Sequence, residues 1–160
     1  MSAAAALLAA LQRRGWTLGV AESLTGGALS AEIVTVPGAS ASLLGAVVAY
    51  ATPVKHSLLG VDERMLRDHG PVYPLVASQM ADGVRRAVAV NGEPADVGVA
   101  TTGIAGPDSP DGQPVGTVHI GVVTPERSAT FTFEFSGDRE AVRRQSVDAA
   151  LAAVLQVVAE

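Results

Sequence analysis

Three short polar segments carry residue types that do chemistry. The first is Glu22-Ser23-Leu24-Thr25-Gly26-Gly27, which ends an apolar run from Trp16 to Val20 and precedes a helix-like pattern from Ala28. A strand, a small polar turn and a helix start set hydroxyls and free backbone N–H groups at a positively polarised helix end. Such an end suits an anion or a developing oxyanion. The same residues also suit an ordinary strand-to-helix turn, with a hydroxyl as N-cap and glycine for tight geometry. The second segment is Tyr50 with Lys55 five positions on. A buried lysine can become a neutral base, which arginine cannot. A serine hydroxyl beside a neutral amine is a nucleophile that needs no histidine. The third segment is Thr101-Thr102-Gly103-Ile104-Ala105-Gly106-Pro107, a glycine-rich turn after an apolar strand. It matches neither the Walker pattern nor the dinucleotide fingerprint, so generic anion contact at N–H groups is the most its spacing supports.

Two more features bear on a site. Ser40 lies in the small-residue turn Gly38-Ala39-Ser40, just before the strand that leads to Tyr50. Arg139 and Arg143 are four apart and share a helix face, which suits a phosphate or carboxylate, or else pairing with Asp138 and Glu140. Metal chemistry is not indicated: His56, His69 and His119 have no ligand spacing, and there is no cysteine.

These segments need elements to hold them. A length of 160 residues predicts one domain over 1–160. With 48% hydrophobic but only 4% aromatic residues, the core must be built from Ala, Val, Leu and Ile. The net charge of −5 argues against direct nucleic-acid binding, which needs surplus Lys and Arg. The apolar stretch Ala3 to Leu11 is too short to span a bilayer, and the lack of cysteine fits a reducing cytoplasm.

Patterning predicts helices over 2–14, 27–36, 52–60, 62–69, 74–90 and about 137–158. It predicts strands over 17–22, 45–50, 95–102, 115–123 and 128–135, the last two as a hairpin. Thr52 reads as an N-cap before Pro53. Buried strands interleaved with helices predict a three-layer α/β/α domain with a mixed, partly antiparallel sheet.

Taken together, the motifs resemble the C-terminal domain of the CinA competence/damage-inducible proteins, a domain that also occurs as a free-standing nicotinamide-nucleotide amidohydrolase. The family's Ala-Glu-Ser-x-Thr-Gly-Gly is matched by Ala21 to Gly27. Its Gly-x-Ser turn, Tyr and following Lys are matched by Gly38, Ser40, Tyr50 and Lys55. Thr102 to Pro107, Pro114 to Val118 and Gly137 to Arg143 match three further motifs. The likeness covers about Ala3 to Val158. It implies hydrolysis of the carboxamide of nicotinamide mononucleotide to nicotinic acid mononucleotide and ammonia, by a Ser/Lys mechanism without metal or cofactor. It also implies a homo-oligomer. On this reading Ser40 is the first candidate nucleophile and Ser23 the second. Lys55 is the base and Tyr50 orients. Thr25, Gly26, Gly27, Thr102 and Gly103 contact substrate, while Arg139 and Arg143 hold the phosphate.

The chain departs from the family in four places. Leu24 stands where a Cys is common, and Ala39 where a Ser is common. Gln113 replaces a Lys, and Pro71-Val72-Tyr73-Pro74 replaces the usual Ala-Val-Ser/Thr-x-Glu. If the last segment edges the pocket, it is where substrate preference could differ from the family's or activity could be lost. The rival expectation is therefore an inactive nucleotide-binding or regulatory module. A DNA-associated competence factor is disfavoured by the acidic charge.

Overall fold

The computed structural model describes residues 1–160, and all of the predicted elements are present. Helix α1 (Ala3–Arg14) starts where Ser2 accepts from the Ala5 N–H and ends at Gly15, whose φ of 66° closes the last turn. It is followed by β1 (Leu18–Glu22), α2 (Ala28–Val34), a single 3₁₀ turn (Ala39–Ala41) and β2 (Leu43–Val48). Three helices follow: α3 (Thr52–Leu59), α4 (Glu63–His69) and α5 (Pro74–Ala87). The chain closes with β3 (Val97–Gly103), β4 (Thr117–Val123), β5 (Ser128–Glu134) and α6 (Arg139–Ala159). The N-cap of α3 is Ala51 rather than Thr52; it makes no side-chain bond, and Thr52 is already helical. No helix is long and apolar enough to cross a membrane.

The five strands form one mixed sheet in the order β2-β1-β3-β4-β5. β1 runs parallel to both β2 and β3, while β4 and β5 are antiparallel additions. Helices α1, α2 and α6 cover one face over a large aliphatic core that includes Leu7, Leu11, Val20, Ile33, Ile120 and Val154. Helices α3, α4 and α5 cover the other face around Leu59, Val61, Met80 and Val84. The architecture is the expected α/β/α sandwich. Burial of strands on both faces holds for β1, β3 and β4; β2 and β5 are edges and only half-covered.

Helix α5 lies unusually low on the sheet because glycines face it. A Cβ on Gly98 would sit 1.8 Å from the Ala81 carbonyl oxygen, and one on Gly121 would sit 2.3 Å from that of Ala77. Backbone atoms cannot yield as a side-chain tip can, so these two positions set the distance between helix and sheet. Gly98→Ala should therefore lower stability by about 2–3 kcal/mol, the scale of an overpacked core. A chemical denaturation midpoint equal to the wild type would show that the helix is free to lift.

Candidate active site

The sheet places the chemistry at the C-terminal ends of its parallel strands, where ligands gather in open α/β sheets. β1 ends at Glu22, and the turn Ser23–Gly27 leads into α2. The Glu22 side chain is completely buried and folds over this turn. One carboxylate oxygen accepts from the N–H of Gly27 at 3.1 Å and of Leu29 at 2.9 Å. The other accepts from the Ser30 N–H at 3.0 Å and the Ser30 hydroxyl at 2.7 Å. The first-turn N–H groups of α2 are thus satisfied by an internal anion. The Gly26 N–H is also used, donating to the Ser23 carbonyl. Gly26 and Gly27 have φ of 59° and 105°, which is why glycine is needed there.

The expectation of an anion site at Gly26-Gly27 is therefore corrected: Glu22 fills it. Its role is to fix the turn. Thr101, which opens the third polar segment but is not among the expected site residues, fixes it from β3. The Thr101 hydroxyl accepts from the Ser23 N–H at 3.3 Å and bonds the Thr25 hydroxyl at 2.9 Å. Thr25 and Gly27 contribute structure and do not line the cavity; Gly26 lines only the neighbouring groove.

Lys55 projects from α3 into this frame and is 1% exposed. Its Nζ lies 2.9 Å from Ser23 Oγ, 2.7 Å from the Ala49 carbonyl and 3.3 Å from the Tyr50 carbonyl. No carboxylate accompanies it. Burial pushes the amine down to a pKa of about 8 from an ordinary 10.5. When the amine is neutral, the two carbonyls still accept its two N–H bonds, and the lone pair is left facing the Ser23 hydroxyl. That arrangement turns a lysine into a general base for a serine.

Ser40 does not join this group. It is exposed, on the 3₁₀ turn beside Val36, Pro37 and Leu43. Ser40 precedes β2, whereas Tyr50 and Lys55 follow it, so about 20 Å of strand separates them at ~3.3 Å per residue. The order of preference between the serines is reversed: Ser23 holds the place beside the amine.

A cavity of about 370 Å³ opens over Ser23 and Lys55. Its walls include Tyr50, Thr102, Gly103, Ile104 and Arg139. Leu24, Ala105 and Gly106 also line it, and their N–H groups donate to no group of the chain. Thr102 contributes shape, since its hydroxyl is spent on the Pro71 carbonyl at 2.6 Å. Pro71 and Val72 form part of the wall, so the segment that departs from the family does edge the pocket.

The two arginines separate in role. Arg139 donates to the Tyr50 hydroxyl at 3.1 Å and the Gly106 carbonyl at 2.7 Å, at the junction between this cavity and an open groove. It has no carboxylate partner. Arg143 donates to the Leu24 and Thr25 carbonyls, both at 3.0 Å, and to Glu140 at 2.8 Å. Its guanidinium is committed to holding the Ser23 turn, so it is a brace. The histidines lie elsewhere. His56 bonds the Val61 carbonyl, His69 stacks on Tyr73, and buried His119 bonds Thr132.

A sequence model of the CinA C-terminal domain matches residues 1–158. A CinA-like protein of Frankia casuarinae is 44% identical over 96% of this chain and 34% of its own length. A putative competence-damage inducible protein of Bacillus pumilus is 39% identical over 94% of this chain and 35% of its own. The chain thus spans about a third of these relatives. Among solved structures, the competence damage-inducible protein A of Klebsiella pneumoniae superposes with a TM-score of 0.90 at 33% identity. That match covers 99% of this chain and 96% of the other. A competence/damage inducible protein of Agrobacterium tumefaciens gives 0.89 at 28% identity, covering 99% and 94%.

Glu22→Ala should lower stability by about 3 kcal/mol, because it orphans buried donors that were paired to a charge. Glu22→Gln should lose less. Calorimetric unfolding of both variants checks this; two unchanged melting temperatures would show that the turn holds without its cap.

Proposed function

The chain belongs to the CinA C-terminal domain family, and from this we propose that it hydrolyses the carboxamide of nicotinamide mononucleotide to the carboxylate and ammonia. The observation that carries the reading is the Ser23–Lys55 pair at the floor of a cavity of about 370 Å³. A pure binding module has no use for a buried, uncompensated amine against a hydroxyl.

The chemistry runs in two halves. Lys55, neutral, takes the Ser23 proton as Oγ attacks the amide carbon. The Leu24 N–H, directly after the nucleophile, and those of Ala105 and Gly106 are the unspent donors for the oxyanion. Lys55 then gives its proton to the departing nitrogen, which leaves as ammonia, and an ester on Ser23 remains. Water attacks that ester and loses a proton to Lys55. That proton passes to Ser23 Oγ as the C–O bond breaks, and the carboxylic acid that departs loses its own proton to water. Arg139, which lacks an acidic partner, is the group for the phosphate, and Tyr50 carries it. No step is assigned to a metal or cofactor. On this reading the partner is a small nucleotide rather than nucleic acid or a membrane. A homo-oligomer in the cytoplasm remains part of the proposal.

The assay is ammonia release from nicotinamide mononucleotide. Ser23→Ala and Lys55→Ala should each lower kcat by at least about 10²-fold, the scale of a lost nucleophile or general base, while Ser40→Ala leaves it unchanged. Because the base works deprotonated, kcat/KM should rise with pH and level off above about 8. Full turnover in Lys55→Ala, or a loss in Ser40→Ala with Ser23→Ala active, overturns the assignment. Arg139→Ala should mainly raise KM.

A further inference from the structure

The charges around the cavity are divided in a way the hydrolysis alone does not require. Beyond Lys55 and Arg139, its only charged lining groups are Asp108 and Asp111, both on the loop that follows β3. Neither aspartate lines the groove beyond Arg139, where Gly26 and Arg143 lie. The carboxylates in that groove are already engaged: Asp138 caps α6 through the Ala141 N–H, and Glu140 pairs with Arg143. The cavity that holds Ser23 and Lys55 therefore carries two loop carboxylates that the groove beyond Arg139 does not share.

The acidic part is held in place. Asp111 accepts from the Gln113 N–H at 3.3 Å and from its side-chain amide at 3.0 Å, and that same amide donates to the Val72 carbonyl at 2.9 Å. Ser109 adds a bond to the Gln113 carbonyl. Gln113, which stands where the family carries a lysine, thus ties the loop to the opposite wall without bringing a positive charge. Asp108, by contrast, forms no hydrogen bond and no ion pair within the chain, so its carboxylate is unneutralised at the cavity.

We propose that Asp108, on the loop braced by Asp111 and Gln113, makes the site selective for amides carried on a cationic ring, an N-substituted pyridinium carboxamide, over the same amide on a neutral ring. This rests on the amidohydrolase reading and names the feature of the substrate that the cavity distinguishes. A carboxylate lining the cavity attracts a pyridinium through space, while the phosphate of the same molecule is drawn to Arg139. The pairing has a chemical consequence. A cationic ring beside Lys55 disfavours its ammonium and so favours the neutral amine that deprotonates Ser23. Asp108 offsets the repulsion that would otherwise keep such a ring out.

The test compares nicotinamide mononucleotide with its reduced form, which keeps the amide and the phosphate but has a neutral dihydropyridine ring. Wild type should show the lower KM for the oxidised form, and Ser23→Ala, which binds without appreciable turnover, should bind that form more tightly in calorimetric titrations at low salt. Asp108→Asn should raise KM and Kd for the oxidised form about two- to fivefold, the scale of a partly exposed ion pair. It should leave kcat and the affinity for the reduced form unchanged, and Asp108→Glu should restore the preference. Added salt should shrink the difference in wild type and not in Asp108→Asn. Equal losses for both forms, or wild-type affinities that do not distinguish them, overturn the proposal. Because titration needs no turnover, failure to release ammonia would count against the amidohydrolase reading alone.

Discussion

The site depends on one buried amine. Lys55 is enclosed with two carbonyls and a hydroxyl and no carboxylate to match its charge. An ion pair would have made it a permanent ammonium; an apolar pocket with no acceptors would have left its N–H groups orphaned. Carbonyls take the middle course: they satisfy N–H bonds without fixing the charge. The cost appears as linkage. With a folded pKa of about 8 against 10.5, the folded state binds fewer protons than the unfolded chain between those values. Stability from this group therefore rises with pH across that window and is lowest below pH 8, where the depression amounts to about 3 kcal/mol. The aliphatic cores on both sheet faces must offset that cost.

Holding Ser23 against this amine takes groups from three elements, β1, β3 and α6. Glu22 closes the start of α2 from within, Thr101 reaches across from β3, and Arg143 draws in the Leu24 and Thr25 carbonyls from α6. Each contact goes to backbone or to a neighbouring hydroxyl, so the turn is fixed even though it is short and glycine-rich. α5, seated low on the sheet by Gly98 and Gly121, keeps the framework beneath it rigid. These supports explain how a serine at a loop can stand at a defined distance from a lysine 32 positions later.

Most of this fold was legible as pattern. Period and punctuation located every helix and strand, because an aliphatic, glycine-punctuated chain leaves few ambiguous windows. Only end details moved, as where α3 is capped by Ala51 and not Thr52. The site was legible as a set of residues but not as an arrangement. Ser40 looked close to Lys55 because it is near in sequence, yet an intervening strand carries the two to opposite ends of the sheet. Ser23 looked like one hydroxyl at a helix start, and only strand adjacency brings it to α3. Glu22 hid its role because a carboxylate ending a buried strand has no short-range signature when its partners lie five to eight residues on. Arg139 and Arg143 share a helix face, but the loops opposite them differ, so one guanidinium is consumed as a brace and the other stands at the cavity.

The same logic governs what was not a matter of pattern at all, the distribution of charge. A chain with a net charge of −5 has acidic groups to spare, and most lie on solvated surfaces where they decide little. Around this cleft the carboxylates sort by partner. Glu22 is consumed by N–H groups, Asp138 by a helix end and Glu140 by Arg143, which leaves the loop after β3 as the only place where negative charge at the cavity is not neutralised. Pairing, rather than abundance, is what gives a carboxylate a field that a ligand can feel. In this protein the paired acids build the frame, and the frame determines which acid remains for the ligand.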